Sequence, residues 1–164
     1  MLFYRAHSPQ WASQPLSGSG AARHGGRLNR PGVNALYLAD SQTTAIGEYQ
    51  QLDSLMPPCT LVTYRIVIQR VVDFRAGYAP TTGRHYGRSY RATGGALLER
   101  IEPPSWVLAD EVRRAGHAGV LFPSIQGNGV NLVVYSDALG ANDVLRVYDP
   151  GNSLPRNQRS WAPD

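Results

Sequence analysis

The sequence predicts an α+β fold in a single compact domain with a mixed central sheet. Its apolar segments indicate about five strands and three helices, which do not alternate regularly as strand–helix–strand units. With 164 residues the chain has the length of one domain, and such a domain buries roughly two-thirds of its unfolded surface. Neither an internal repeat nor a composition shift marks a linker between domains.

The first half of the chain predicts two short strands and a helix around a long loop. Residues 2–5 are predicted to form a strand. Residues 8–34 are rich in Ser, Gly, Pro and Asn and predict a loop, and loops of this length are commonly functional or mobile. Residues 35–39 are typical of a buried strand. Ser41 is a suitable N-cap for a helix that continues to about Leu52.

The second half predicts most of the sheet. Residues 60–74, rich in Val and Ile, predict one strand or two. A longer helix is predicted to begin at Ser105 and to stop at Gly116. The other predictions are an irregular segment at 77–95, a brief helix at 96–100, strands at 119–122, 130–135 and 144–148, and a loosely held tail at 151–164.

The basic residues exclude two kinds of chemistry. All sixteen are arginine, and the chain has no lysine. A P-loop is therefore excluded, because it needs a lysine on the β- and γ-phosphates. Schiff-base catalysis on a lysine is excluded for the same reason. The net charge of +4 suits a nucleic acid, an anionic small molecule or an acidic partner.

Cysteine content and hydropathy indicate the compartment. Cys59 is the single cysteine, so no disulfide can form within the chain. The N-terminus lacks the charged and apolar regions of a signal peptide, and no apolar run approaches the roughly twenty residues that span a bilayer. We therefore expect a cytoplasmic, soluble protein with no membrane contact.

Three side chains within residues 23–48 form a candidate ligand site. Arg27 follows two glycines, Tyr37 lies in the short apolar strand, and Glu48 lies on the helix after it. Glycines allow a backbone to approach a ligand closely, and a guanidinium can grip phosphate oxygens with two parallel hydrogen bonds. A cation, an aromatic face and a carboxylate on three different elements suit an anionic, ring-containing substrate.

Each candidate residue also has a purely structural interpretation. Arg27 could be a solvent-exposed loop arginine, Tyr37 a core residue, and Glu48 a helix-boundary residue with its carboxylate in water. Ser124 directly follows a predicted buried strand, where side chains commonly shape sites, but it could be a plain turn serine. No G-x-S-x-G elbow surrounds Ser124, which argues against a serine hydrolase.

Metal and nucleic-acid sites have weaker support. The four histidines form no i, i+4 pair and have no neighbouring cysteine, so we expect no metal site. Three arginines, interleaved with His85, Tyr86 and Tyr90, could contact phosphates or stacked bases. These are Arg84, Arg88 and Arg91, and a solvated loop or lid is the favoured explanation for them.

Six segments of the chain combine into one pattern: Phe3-Tyr4-Arg5, Gly25-Gly26-Arg27-Leu28-Asn29, the strand 35–39, the A-x-x-E pattern at 45–48, the serine segment 116–124 and the strand 131–134 behind it. In this order and spacing they resemble the RES-domain family, which is named for an arginine, a glutamate and a serine and supplies the toxins of RES–Xre toxin–antitoxin pairs. Leu28 stands where the family usually has tryptophan.

The resemblance implies a fold like that of ADP-ribosyltransferases over residues 1–150, and an enzyme that consumes NAD. Arg27 is then expected to bind the diphosphate, Tyr37 the nicotinamide, and Glu48 to stabilise the oxocarbenium-like centre, as in glycoside cleavage. Ser124 is expected to hydrogen-bond near the nicotinamide or to orient Glu48, while Arg5 and Asn29 complete the NAD-binding set.

The resemblance also implies a partner, an Xre-type antitoxin that silences the toxin and through which alone nucleic acid would be contacted. The acceptor of the ADP-ribosyl group stays open between water, phosphate and a protein side chain. Two alternatives from other classes remain: a basic nucleic-acid-binding module, and a partner-binding protein without turnover.

Overall fold

The computed structural model describes residues 1–51, 53–76 and 102–159. They form a seven-stranded sheet in the order β4-β5-β6-β2-β1-β3-β7. The strands are β1 (Leu2–His7), β2 (Leu36–Ala39), β3 (Thr60–Val67), β4 (Val71–Asp73), β5 (Gly119–Pro123), β6 (Val130–Val134) and β7 (Val144–Val147), and the α-helices are α1 (Ser19–His24), α2 (Gln42–Gln50) and α3 (Pro104–Arg114).

The sheet is mixed, as predicted. β4 and β5 run parallel, whereas the other neighbouring strands are antiparallel. The segment 60–74 forms two strands at separate places in the sheet, because β3 pairs with β1 and β4 pairs with β5. The α+β prediction is therefore confirmed, with more strands than the sequence indicated.

Two apolar clusters cover the two faces of the sheet, as the strand period of two requires. On β6, Val133 belongs to one cluster, while Leu132 and Val134 belong to the other. The first cluster is completed by α3 through Leu108 and Val112. Because β6 is buried on both faces, a polar side chain on it needs a specific partner.

The helix boundaries follow the predicted signals closely. Ser41 caps α2, since its hydroxyl accepts a hydrogen bond from the Thr44 amide at 3.1 Å. Helix α2 ends at Gln50, slightly before the predicted end. Helix α3 begins at Pro104, a favoured residue in a first turn, and Gly116 beyond its end has a positive φ of 82°.

Two regions differ from the sequence predictions or lie outside the described residues. The predicted loop 8–34 contains a turn of 3-10 helix, Pro9–Trp11, and helix α1. Both are too short to show a helical period in the sequence. The predicted irregular segment 77–95 and helix 96–100 lie outside the described residues. In the C-terminal region, Leu154 packs against the second apolar cluster.

A buried histidine at the end of β1 gives the fold a pH dependence. His7 is 6 % exposed, and its Nε2 lies 2.7 Å from the hydroxyl of Tyr64. The Tyr64 hydroxyl donates its proton to the Pro15 carbonyl, so the neutral His7 ring must donate from Nε2. Burial, and then the nearby charge of Arg5, lower the pKa of His7 to about 4.

We expect the free energy of unfolding to fall as the pH is lowered from about 6.5 to about 4. Over this range the unfolded chain protonates His7 and the folded chain does not, which costs up to about 3 kcal/mol. Urea unfolding of His7→Gln should show a clearly flatter pH dependence, and the exposed His24→Gln should match the parent. Equal pH dependence in parent and His7→Gln would contradict this origin.

Candidate active site

A cavity of about 370 Å³ opens where β1, β2, α2 and the loop after α1 meet the ends of β5 and β6. Four of the sequence-predicted site residues line it together: Arg5, Arg27, Tyr37 and Glu48. The other lining residues are Tyr4, Ala6, Gly26, Leu38, Ala39, Ala45, Tyr49, Gln51, Phe122 and Asn131.

The loop that carries Arg27 is tightly closed and depends on its two glycines. Gly25 has a φ of 75°, a conformation that glycine adopts without strain. The Gly26 amide donates to the Asn29 carbonyl at 3.0 Å. A Cβ on Gly26 would lie 2.6 Å from both the Asn29 Oδ1 and the Tyr37 hydroxyl. No other residue fits there without moving the loop.

Tyr37 holds this loop through its hydroxyl. The hydroxyl donates to Asn29 Oδ1 at 2.7 Å and accepts from the Leu28 amide at 2.9 Å. Burial raises the pKa of the Tyr37 phenol above its ordinary value, so the hydroxyl keeps its proton. Its ring lines the cavity, as the sequence analysis expects.

Asn29, predicted to contact the ligand, lies behind the loop instead of on the cavity surface. It is 1 % exposed, and its Nδ2 donates to the carbonyls of Ala21, Arg30 and Val33. With Oδ1 occupied by Tyr37, its hydrogen-bonding groups are all used within the fold. Asn29 therefore stabilises the conformation of the loop that carries Arg27.

Helix α3 supports the same loop from outside. The Trp106 indole donates to the Gly26 carbonyl at 2.7 Å. The Arg30 guanidinium lies 5.8 Å from the centroid of the Trp106 ring and pairs with Asp110 at 2.6 Å and with Glu102. Trp106 was not predicted as part of the site, because eighty positions of sequence separate it from Gly26.

Leu28, which stands where the resemblance leads one to expect tryptophan, is fully buried at 0 % exposure. It belongs to the first apolar cluster, together with Phe122 and Tyr135. Its carbonyl accepts from the buried Tyr135 hydroxyl at 2.8 Å. Leucine therefore packs at this position in place of the larger tryptophan. The backbone of Leu28, next to Arg27, forms hydrogen bonds through both its amide and its carbonyl group.

Two cations face the cavity without a carboxylate partner. Arg27 lies with its guanidinium carbon 5.3 Å from the centroid of the Phe122 ring. Arg5 donates to the Ser17 carbonyl at 3.3 Å, and burial lowers the pKa of its guanidinium. Within the described ranges neither arginine forms an ion pair. Unneutralised guanidinium groups in one cleft attract an anionic ligand.

Glu48 is held by one of its two carboxylate oxygens. Ser124 Oγ donates to Oε1 at 2.6 Å, and Asn131 Nδ2 donates to the same oxygen at 2.5 Å. Among the described residues, none donates to Oε2. The carboxylate is thus fixed in orientation, with one acceptor left for a ligand.

Ser124 lies behind Glu48 and does not line the cavity. It is 6 % exposed, and its Oγ also accepts from the Gln126 amide at 3.0 Å. The Ser124 side chain therefore contacts the Glu48 carboxylate and forms no part of the cavity surface. Asn131 was not predicted as a site residue, although a polar residue within an apolar strand is a signal that could have identified it.

The described residues contain no group of three or more His, Cys, Asp or Glu side chains placed to hold a metal ion. No helix in the described part of the chain is long and apolar enough to cross a membrane. The arginines proposed as a nucleic-acid surface, Arg84, Arg88 and Arg91, lie outside the described residues.

The fold is a single-domain α+β architecture, and its cavity holds two arginines beside a carboxylate that is held through one oxygen. The chain belongs to the RES-domain family, whose sequence model matches residues 2–157. The match covers every strand of the sheet and all the cavity residues named above.

The fold is similar to that of a chain in the crystal structure of the M. tuberculosis MbcT–MbcA toxin–antitoxin complex. The TM-score is 0.65 and the sequence identity 24 %, with 90 % of this chain and 81 % of that chain covered. At this identity the similarity shows a shared fold. Comparison with curated proteins finds no match.

We expect Tyr37→Phe to lower the free energy of unfolding by about 1–3 kcal/mol, because it leaves the Leu28 amide and Asn29 Oδ1 without their partner. Tyr49→Phe is the matched control: its hydroxyl donates to the Pro58 carbonyl at an exposed position, so its loss should cost less than about 0.5 kcal/mol. Urea unfolding measures both. Equal effects of the two substitutions would show that Tyr37 does not hold the loop.

Proposed function

We propose that this protein is the toxin of a toxin–antitoxin system and cleaves the nicotinamide–ribose bond of NAD. The observation that carries the proposal is Glu48, held through Oε1, in a cavity that also holds two arginines. Among the described residues, none donates to Glu48 Oε2 and none forms an ion pair with Arg5 or Arg27. Membership of the RES-domain family supports the same conclusion.

The cavity has the charge and size for part of a dinucleotide. Its volume of about 370 Å³ lies within the range of small-molecule sites. Arg27 is assigned to the diphosphate, since a guanidinium binds phosphate oxygens in a bidentate manner. Arg5, on the floor of the same cavity, adds positive charge. Tyr37 and Phe122, whose rings meet edge-on at 6.3 Å between centroids, supply an aromatic wall for the nicotinamide.

Glu48 is assigned to the reacting sugar. The bond between the ribose anomeric carbon and the nicotinamide nitrogen breaks, and its electron pair neutralises the pyridinium ring. The leaving group therefore needs no proton, and the positive charge moves to the ribose. Glu48 Oε2 accepts a hydrogen bond from the 2′-hydroxyl and stabilises that charge electrostatically, while Ser124 holds the carboxylate in place.

The acceptor completes the reaction at the anomeric carbon. With water, the products are ADP-ribose, nicotinamide and a proton. Phosphate would give ADP-ribose 1″-phosphate, and a protein side chain would become ADP-ribosylated. The proposal includes all three, because each shares the cleavage step and differs only in what reaches the carbon.

An antitoxin is the proposed partner. The structurally similar chain comes from a toxin–antitoxin complex, and RES-family resemblance points to an Xre-type antitoxin. An antitoxin that covers the cavity mouth would exclude NAD. Nucleic acid is then contacted only through the antitoxin.

We expect Glu48→Gln to lower nicotinamide release from NAD at least about 100-fold, because the isosteric amide removes the charge that stabilises the ribosyl cation. The control is Glu111→Gln, which removes the charge of a carboxylate on α3 outside the cavity and should leave the rate of nicotinamide release unchanged. Release is followed by chromatography, with and without phosphate and a cell extract. Undiminished release by Glu48→Gln would overturn the role of Glu48, and no release by the parent would overturn the enzymatic proposal.

Arg27→Ala should raise the KM for NAD about 10- to 100-fold, because a charged hydrogen-bond pair with the diphosphate is lost. Ser124→Ala should lower kcat with a much smaller change in KM, because it frees the carboxylate without removing a ligand contact. Arg23→Ala, an exposed arginine at the end of α1, is the control for net charge. The reverse order of KM changes would contradict the diphosphate assignment.

A further inference from the structure

Asn131 lies at a position in the sheet from which its side chain faces the cavity. It lies on β6 and pairs with Ala39 of β2 and Phe122 of β5. Residues directly opposite one another share a face of the sheet, and both partners line the cavity. Asn131 lines the cavity with them and is 5 % exposed.

The hydrogen bond to Glu48 fixes which way the amide of Asn131 points. An ionised carboxylate can only accept hydrogen bonds, so the atom facing Glu48 must be the amide nitrogen. The amide oxygen then points the other way. No group in the described residues donates to this oxygen, and Asn131 lines the cavity, so the oxygen is free to accept a hydrogen bond from water or a ligand.

Two acceptor atoms therefore flank one hydrogen bond: Glu48 Oε2 and Asn131 Oδ1. They belong to neighbouring side chains joined at 2.5 Å, which places them within the span of a single sugar. A ligand that satisfies both needs two adjacent donors. The vicinal hydroxyl groups of a ribose are such a pair.

We propose that Glu48 and Asn131 together recognise the vicinal diol of the nicotinamide ribose, with Asn131 Oδ1 accepting from the 3′-hydroxyl. This inference rests on the proposed function, in which Glu48 takes the 2′-hydroxyl. Asn131 then has two tasks, because its nitrogen orients the carboxylate and its oxygen contacts the substrate. The nicotinamide carboxamide is the competing donor, and the test separates the two.

The experiment compares kcat/KM for NAD with that for an analogue lacking the 3′-hydroxyl of the nicotinamide ribose. The parent should use the analogue about tenfold less efficiently, the effect of one neutral hydrogen bond. Asn131→Ala should process both substrates slowly and equally. Asn131→Leu, which fills a similar volume without an acceptor, should do the same and replaces the alanine variant if that one does not fold.

Two further variants separate substrate contact from positioning. Asn131→Asp keeps an acceptor oxygen but sets a second carboxylate against Glu48, and the two acids must share a proton, so it should retain the tenfold discrimination with a lower kcat. Ser124→Ala should behave in the same way, because it leaves the Asn131 oxygen untouched.

Unchanged discrimination in both Asn131→Ala and Asn131→Leu, or no discrimination by a parent that cleaves NAD, would overturn the inference and leave the proposed function standing. Discrimination that appears only with an analogue altered at the carboxamide would assign the Asn131 oxygen to the nicotinamide and reject the ribose contact. A parent that releases no nicotinamide from NAD would overturn the proposed function and this inference together.

Discussion

One carboxylate oxygen, Glu48 Oε1, couples α2 to the end of the β5–β6 hairpin, and the geometry of the cavity depends on that coupling. A partly buried carboxylate needs partners within the fold, and Ser124 and Asn131 both donate hydrogen bonds to Glu48 Oε1. Backbone packing supports the contact, since a Cβ on Gly129 would lie 2.0 Å from Thr44 Oγ1. Helix and hairpin are therefore close enough for short side chains to reach Glu48, and the free oxygen has a defined direction.

The opposite wall of the cavity is made rigid by a second set of contacts. The loop around Arg27 is held from inside by Tyr37 and Asn29, and from outside by Trp106. The two walls meet at Phe122, which Arg27 covers and Tyr37 contacts edge-on. Arg27 and Glu48 thus line the same cavity from separately supported elements, and they form no ion pair with each other.

The sequence predicted what depends on local signals. The cap at Ser41, the stop at Gly116 and the alternation of the strands each follow from neighbouring residues, and these features are present in the structure. Spacing alone left Arg27, Tyr37 and Glu48 open between a site and ordinary structural roles, because the local pattern does not show which side chains meet in the fold. Ser124 was assigned to the same site as these residues because of the family resemblance, more than because of its spacing in the sequence.

What escaped prediction depends on contacts between distant segments. Trp106 and Asn131 act on residues about eighty positions away, and no local pattern records such a pairing. Asn29 has a polar side chain of the kind that binds ligands, but its side-chain amide forms its hydrogen bonds with other residues of the fold. Strand order escaped for the same reason, since β3 and β4 are adjacent in sequence and separated in the sheet.

A crystal structure of the Glu48→Gln variant grown with NAD tests the proposed NAD site most directly. We expect intact NAD in the cavity, with its diphosphate within hydrogen-bond distance of Arg27 and its nicotinamide ribose against residue 48 and Asn131. NAD bound elsewhere, or with its nicotinamide ribose turned away from residue 48, would contradict the proposed site.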